Sequence, residues 1–377
     1  MTAARTHFRP AALLALAAGM ALAPAVADAQ LARTWANVTG VWSNAANWSP
    51  SDVPSSPPEK AVLAGAGVYT AALDIPAQLV GVDITNANAT LAMNPGSVLA
   101  IGTANTNTGL NNSGLLIINA AGAAALTQLR FPVPTTISGP GLIRLNANPA
   151  VLDSAFISPD LGASWTHAAG HTVAGAGRLY GPFTNAGAIA ADAPGRVLQI
   201  AGDVANTGSI AATTGILELA QGARLTGGAI AANPGTFVRI ADFAGLTSMQ
   251  VGGQVDLSSG SVLELGGSIT GSHTFRVNPA ATVANTQLIA ATVLSLDGSG
   301  AIVLSANAAD LESAALLSNA GPITTSLAMT IRGTGRIYAP LTGAPVVRAD
   351  QPGATLELLS DCDMTGGGSL SATATNA

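Results

Sequence analysis

Apolar residues recur in the middle of the chain as short runs, each opened by glycine and spaced about twenty residues apart. In each copy a polar or Pro-Gly break separates two stretches in which β-forming residues alternate with other residues, as in a half-buried strand. One β-turn-β unit of this length cannot bury its own apolar face, so such units must stack on one another. The clearest copies are Gly187 to Ile200 (GAIAADAPGRVLQI), Gly208 to Leu219 (GSIAATTGILEL), Gly228 to Ile240 (GAIAANPGTFVRI) and Gly253 to Leu265 (GQVDLSSGSVLEL).

This pattern predicts an all-β chain that forms one single-stranded parallel β-helix, a right-handed β-solenoid with about twenty residues per coil. Ala, Val, Ile and Leu supply a narrow interior, and the 43 glycines supply positive-φ backbone at the corners. Asparagine also recurs at corners, as at Asn86, Asn94 and Asn111. It tolerates left-handed backbone and can bond through its amide to an asparagine of the next coil. We expect the β-helix to occupy residues 61–377.

A longer internal duplication, with an offset of 158 or 159 residues, relates a first copy (about 114–210) to a second copy (about 273–370). Residues 175–182 (GAGRLYGP), for example, match residues 333–340 (GTGRIYAP). A site with unique chemistry has no need to occur twice, whereas residues of corners and core should persist. An Arg and an Asp that persist one coil apart predict a stacked ion pair at the rim, which belongs to the scaffold. The persistent polar residues are Arg178/Arg336, Tyr180/Tyr338 and Asp192/Asp350.

Residues 1–29 have the composition of a signal peptide. Arg5 and Arg9 precede an apolar stretch of Ala and Leu that ends near Ala27, and the small residues up to Ala29 predict cleavage before Gln30. No later apolar run is long enough to span a membrane as a helix. The sequence therefore predicts an exported mature chain without a transmembrane helix.

Residues 30–60 differ from the rest of the chain, because they hold three of its four tryptophans among Gly, Asn, Ser and Pro. The first rung of a stack of strands exposes a free edge and an apolar cross-section, and an uncovered edge promotes aggregation. We therefore expect Trp35, Trp42 and Trp48 to form an N-terminal cap. The alternative is a carbohydrate-binding site in which Trp42 and Trp48 stack on sugar rings.

A family resemblance is carried by a short motif in the same region. Its residues are Gly40, Trp42, Asn47, Trp48, Ser49, Val53 and Pro54. The motif resembles the start of exported bacterial β-helix proteins with autotransporter-associated-type β-strand repeats, some of which end in a sorting signal. Tyr69 to Asp74 (YTAALD) is similar to the segment that follows in that family. The resemblance implies a secreted or surface-displayed parallel β-helix, usually without a characterised activity.

Charge and cysteine content exclude several classes of partner. Charged residues make up 9% of the chain, its net charge is −6, and Lys60 is its only lysine. A surface that binds nucleic acid or anionic lipid needs clustered Lys and Arg, so neither partner is expected. Cys362 is the only cysteine, which excludes an internal disulfide and makes a thiolate-ligated metal site implausible.

The acidic residues do not form a recognisable catalytic set. Hydrolysis or elimination on a polysaccharide needs paired carboxylates, or a metal held by carboxylates beside Arg or Lys. Glu218, Asp256, Glu264 and Glu357 instead occupy the outward positions of alternating strands. Stacking of coils leaves open that an acid of a neighbouring coil lies beside Glu218. We predict no catalytic residue and no cofactor.

Two histidines have a spacing of interest. His167 and His171, in THAAGH, would suit a metal ion if they lay on a helix. No helix is expected here, however, and the second copy has Thr325 and Met329 at these positions. We therefore interpret the segment as a polar loop and predict no metal site.

These observations favour a non-enzymatic exported repeat protein of the cell surface or extracellular matrix, with a structural or adhesin-like role. The alternative is a β-helix protein that binds or degrades polysaccharide. In either case the expected partner is a cell-surface or matrix polysaccharide. The last coil opens at Gly366 and lacks its second strand, which predicts that the chain is truncated at its C-terminus.

Overall fold

The computed structural model describes residues 30–104, 108–350, 353 and 355–372. Within these ranges the chain forms strands and tight turns, with 3-10 turns at Ala45–Asn47, Leu152–Ser154 and Leu311–Ser313 and no α-helix. The prediction of an all-β chain is confirmed. The same ranges contain no helix of the length and apolar character that crossing a membrane requires. The predicted signal peptide lies outside the described residues.

The described chain contains strands β1 to β36, which are short up to β16 and longer where a strand continues around a corner. In chain order they are β1 Leu31–Trp35, β2 Gly40–Val41, β3 Trp48–Ser49, β4 Glu59–Leu63, β5 Tyr69–Leu73, β6 Ala77–Leu79, β7 Gly81–Ile84, β8 Ala89–Met93, β9 Val98–Ile101, β10 Gly109–Asn112, β11 Leu115–Ile118, β12 Gln128–Phe131, β13 Thr135–Ser138, β14 Leu142–Asn146, β15 Phe156–Pro159, β16 Trp165–His167, β17 Thr172–Tyr180, β18 Phe183–Asn185, β19 Ala188–Ala191, β20 Val197–Asn206, β21 Ser209–Ala212, β22 Ile216–Thr226, β23 Ala229–Ala232, β24 Val238–Ile240, β25 Phe243–Leu257, β26 Val262–Thr270, β27 Ser272–Val277, β28 Thr286–Leu296, β29 Ser299–Ser305, β30 Ala314–Ser318, β31 Ile323–Thr325, β32 Met329–Ile337, β33 Leu341–Gly343, β34 Val346–Ala349, β35 Leu356–Leu358 and β36 Ser369–Ala372.

Parallel pairings join the strands to others about sixteen to thirty residues away in the chain, except β3, which pairs antiparallel with β1. One ladder runs β4, β7, β10, β13, β16. A second runs β5, β8, β11, β14, β17, and a third runs β6, β9, β12, β15, β17 and continues through β20, β22, β24, β25, β27 and β29. One passage of the chain through the three ladders is called a coil below. The expected parallel arrangement of many strands is confirmed.

The core lies between the ladders, because every second side chain of a strand points inward and stacks on its equivalent in the next coil. Burial of each such aliphatic side chain contributes about 1.5–3 kcal/mol to the free energy of unfolding. In the third ladder the stacked side chains form a column without exposed surface. Its members are Leu99, Leu129, Ile157, Leu179, Ile200, Leu219, Ile240, Leu257, Val277 and Leu304.

Two equivalent asparagines of the copies have the same backbone geometry. Asn119 and Asn278 both adopt left-handed backbone, with φ of 63° and 54°, and both are fully buried. The Oδ1 of Asn119 accepts from the N–H of Ala123 at 3.1 Å, and the Oδ1 of Asn278 accepts from the N–H of Thr282 at 3.2 Å. The matching asparagines therefore build the same turn twice.

Gly175 and Gly333 are a second equivalent pair, at a place where neighbouring coils approach closely. Their φ angles are +114° and +106°. A Cβ on Gly175 would lie 2.1 Å from the carbonyl oxygen of Leu145, and a Cβ on Gly333 would lie 2.1 Å from that of Leu304. Only glycine fits at these positions without moving the backbone of the preceding coil.

Replacement of Gly175 by alanine should therefore destabilise the protein more than replacement of Gly235. Both glycines have positive φ, so alanine costs about 1–2 kcal/mol at either position. A Cβ on Gly235 would meet nothing within 4 Å, whereas Gly175→Ala must displace a carbonyl group, at a further cost of about 1–3 kcal/mol. Urea unfolding of the two variants measures the difference, and equal midpoints would contradict the close approach.

Candidate functional site

Three tryptophan rings pack together at the N-terminal end of the ladders. Trp35 lies in β1, Trp42 follows β2, and Trp48 begins β3. The centroid of the Trp48 ring lies 4.8 Å from that of Trp35 and 4.5 Å from that of Trp42, both edge to face. Strand β1 pairs antiparallel with β3 and parallel with β4. The rings thus lie where the sequence places a cap.

The structure leaves these rings no open face. Trp42 is 0% exposed and Trp48 is 2% exposed. Their polar edges are also satisfied internally, because Trp42 Nε1 donates to the Pro54 carbonyl at 2.9 Å and Trp48 Nε1 donates to the Trp42 carbonyl at 2.8 Å. A sugar ring stacks on an exposed aromatic face, so the alternative of a carbohydrate site at Trp42 and Trp48 has no accessible surface here.

His167 and His171 lie inside the protein, and the interpretation of their segment as a polar loop is wrong for both side chains. His167 ends β16, where it stacks in the first ladder between Ile137 and Asn185. His171 directly follows the next turn. The two residues are 0% and 1% exposed.

The two imidazoles belong to a row of five hydrogen-bonded side chains in the core, called the buried polar chain below. Its members, in order, are Asn112, His171, His167, Asn185 and Asn206, and none is more than 2% exposed. The first two bonds join Asn112 Nδ2 to His171 Nε2 at 3.1 Å and His171 Nδ1 to His167 Nε2 at 2.9 Å. The next two join His167 Nδ1 to Asn185 Oδ1 at 2.6 Å and Asn185 Nδ2 to Asn206 Oδ1 at 2.8 Å.

The direction of these bonds is fixed at the Asn112 end. The Oδ1 of Asn112 accepts from the N–H of Gly114, and its Nδ2 donates to a backbone carbonyl, so the amide also donates to His171. His171 Nε2 therefore carries no proton, and the ring donates through Nδ1 to His167 Nε2. His167 in turn donates through Nδ1 to Asn185. Both imidazoles are neutral, with one donor and one acceptor each.

Burial disfavours the charged form of both rings. Burial, together with the neighbouring His167, lowers the pKa of His171 to about 3, and burial also lowers the pKa of His167. A second proton on either ring would place two N–H donors face to face in the core, with no acceptor between them. All four ring nitrogens are engaged, and nowhere in the described ranges do three or more His, Cys, Asp and Glu residues group as metal ligands would.

Acid should destabilise the protein through this pair. A histidine of the unfolded chain titrates near pH 6.5, whereas native His171 titrates near pH 3, so the unfolded state binds more protons between these values. The contribution of His171 is complete above about pH 6.5 and falls as the pH drops towards 3, by up to about 1.4 kcal/mol per pH unit, and the lowered pKa of His167 acts in the same direction.

Introducing the residues of the second copy, His167→Thr with His171→Met, should remove this part of the pH dependence. Urea unfolding of both proteins at about pH 7.5 to about pH 4 gives the two slopes. The slope difference is informative even if the double variant is less stable overall. Parallel slopes would contradict a buried neutral pair.

Polar and charged side chains form a column on the outer face of the third ladder. Its members, one from each successive coil, are Arg178, Gln199, Glu218, Arg239, Asp256 and Arg276. Glu218 is 7% exposed and accepts from Gln199 and from Arg239 Nε, the latter at 2.6 Å. The neighbouring coils therefore bring an amide and a guanidinium to Glu218, and not a second carboxylate.

The persistent arginines form ion pairs, but the predicted pairing of Arg178 with Asp192 and of Arg336 with Asp350 is wrong. In each copy a 3-10 turn places an acid closer to the arginine than the predicted aspartate. The turn directly precedes the strand that pairs with the arginine's own strand, which is β15 in the first copy and β30 in the second. This acid is Asp153 in the first copy and Glu312 in the second. The observed pairs are Arg178–Asp153, Arg336–Glu312, Arg336–Glu357, Arg144–Asp192 and Arg332–Asp350.

A pocket of about 190 Å³ opens beside the outer column. Pro149 and Leu152, from the loop before β15, form its apolar wall. Arg196, Glu218 and Arg239 line the polar side. Sequence reasoning missed this site. The available signal was that the second copy, which keeps the preceding Ala-Asp-x-Pro-Gly corner, has Ala354 in place of Arg196.

The described residues thus provide a sealed aromatic cap, a neutral polar chain in the core and a pocket beside Arg196. Comparisons of the chain with protein-family models, with curated proteins and with solved structures found no match. Its function is therefore inferred from its own geometry.

Proposed function

We propose that the chain is a single-stranded parallel β-helix with right-handed coils, and that it serves as a non-enzymatic scaffold in an exported cell-surface or extracellular-matrix protein. The observation that supports this proposal is one unbroken series of parallel pairings. At about 4.8 Å per strand, the fourteen strands of the series extend over roughly 60 Å. They are β6, β9, β12, β15, β17, β20, β22, β24, β25, β27, β29, β32, β34 and β36.

The surface charges support the scaffold role, because they connect coils to one another. Arg130 and Asp160 are 30 residues apart in sequence, and Arg224 and Glu264 are 40 apart, yet each pair is in contact. Exposed pairs of this kind stabilise by about 0–1 kcal/mol each. A long surface with repeated, weakly charged coils suits multivalent contacts with a polymer, such as a cell-surface polysaccharide.

The predicted signal peptide supports export, with a mature chain that begins at Gln30. Degradation of a polysaccharide would need two carboxylates on opposite sides of one glycosidic bond. Glu218, the acid at the pocket, has Gln199 and Arg239 as its stacked neighbours. Polysaccharide binding remains the second candidate function, and the pocket beside Arg196 is the observation that favours it.

Removal of one coil from the precursor tests the proposed function. Deletion of residues 209–228 joins Gly208 to Ala229, and Ala229 already stacks on Ser209 in the same ladder, so the register is retained. We expect the shortened protein to be exported, to begin at Gln30 and to unfold cooperatively. N-terminal sequencing of the protein recovered outside the cell and thermal unfolding followed by circular dichroism measure these properties.

A half-coil deletion, residues 209–218, is the matched control. It joins Gly208 to Leu219, so the strands after the junction no longer match the register of the strands before it, and the protein should not fold as one cooperative unit. The alternative to a β-helix is a sheet closed into a barrel, which either deletion would open. Equal loss of structure in both deletion proteins would therefore overturn the β-helix. A folded one-coil deletion protein that, like the parent, remains inside the cell with residues 1–29 attached would overturn the exported role.

A further inference from the structure

Arg196 holds its guanidinium against the protein through a single hydrogen bond. The residue ends the turn that begins at Ala193 and directly precedes β20. Its Nη1 donates at 3.2 Å to the Oδ1 of Asn146, which is 50 residues earlier in the chain. The Asn146 amide nitrogen donates to the Asn119 and Ala120 carbonyls, which fixes the amide oxygen towards the arginine.

The other two groups of this guanidinium are unpaired. Arg196 Nε and Nη2 are closed off from solvent and have no hydrogen-bond partner. Donors of a charged group that are withdrawn from water without an acceptor are costly. Among the arginines of the described ranges, Arg196 and Arg348 form no ion pair with a carboxylate, and Arg348 is exposed to solvent. Arg196 is therefore the arginine here that an anion would stabilise most.

The charges around the pocket favour a negatively charged ligand. Glu218 is already neutralised by Arg239, whose Nε donates to Glu218 Oε2 at 2.6 Å, while Gln199 donates to Oε1. The three charged side chains of the pocket lining, two arginines and one glutamate, sum to one positive charge. The planar donor fork of an arginine matches the two oxygens of a carboxylate.

The remaining walls narrow the class of ligand. Pro149, Leu152 and Val197 offer an apolar surface on one side, and the Glu218 carboxylate offers an acceptor for hydroxyl groups on the other. We propose that this pocket binds a sugar acid, with the Arg196 side chain turned so that its unpaired Nε and Nη2 meet the ligand's carboxylate, and with the ligand's hydroxyl groups towards Glu218. A single uronate residue, free or at the end of a chain, has this chemistry.

The internal duplication supports a site that belongs to the first copy. Arg196 and Gln199 correspond to Ala354 and Glu357 in the second copy. Glu357 accepts a hydrogen bond from the Nε of Arg336 at 2.6 Å, whereas the Nε of the equivalent Arg178 has no partner. Leu152 of the pocket wall persists as Leu311, whereas the arginine that would hold the ligand's carboxylate is absent from the second copy. The proposal concerns the folded chain and holds whether or not the protein is exported.

Titration of purified mature protein, residues 30–377, with sodium glucuronate tests the proposal, with nuclear magnetic resonance shifts or calorimetry as the readout. We expect saturable binding that Arg196→Ala weakens at least about tenfold. This variant carries the residue of the second copy, and an unchanged thermal transition shows that it folds. Arg196→Lys keeps the charge but loses the donor fork, and should weaken binding less.

Arg348→Ala is the matched control, because it removes the same charge from an exposed arginine away from the pocket and should leave binding unchanged. Glucose and acetate complete the design. Glucose binding as tight as glucuronate binding would overturn recognition of the charge, and equal binding of acetate would overturn recognition of the sugar. No binding, or binding that Arg196→Ala leaves intact, would overturn the site. None of these outcomes bears on the coil deletions, which report folding and export.

Discussion

Parallel stacking of equivalent side chains is the constraint on which this structure depends. Strands of a parallel ladder lie about 4.8 Å apart, so each inward side chain has another directly above and below it. Aliphatic residues such as Leu219, between Ile200 and Ile240, satisfy this condition throughout the third ladder. Where the backbones themselves meet, as at Gly175, there is no room for a side chain. The outer charges follow the same rule, since they pair between coils.

The repeat pattern was sufficient to predict the strands and their parallel arrangement. Alternation is a local property, and a unit that cannot bury its own apolar face must stack on another, so both can be read from the sequence. The pairing of Arg178 was not readable in this way. Its partner, Asp153, comes from a 3-10 turn whose position depends on a loop outside the repeat.

The histidines show the same limit inside the core. His167 alternates like any strand residue, and its direction depends on whether the neighbouring coils can satisfy its two nitrogens. That condition involves Asn185 one coil later and His171 beyond a turn, which no local pattern encodes. Residue type alone favours a polar loop, because an unpartnered buried imidazole is costly. The pocket at Arg196 was missed for a related reason: a corner arginine next to Pro-Gly is usually solvated.

The buried polar chain has a consequence for assembly. Strands β19, β21 and β23 read AIAA, SIAA and AIAA and stack on one another with Ile189, Ile210 and Ile230 in line. A slip by one whole coil would exchange nearly identical apolar side chains, so the apolar core alone scarcely opposes it. The same slip would separate Asn185 from Asn206 and leave buried amide groups unpaired, at roughly 1–3 kcal/mol each. A few hydrogen bonds between buried side chains thus determine which coil stacks on which in an otherwise self-similar stack, so that each coil has a single correct neighbour.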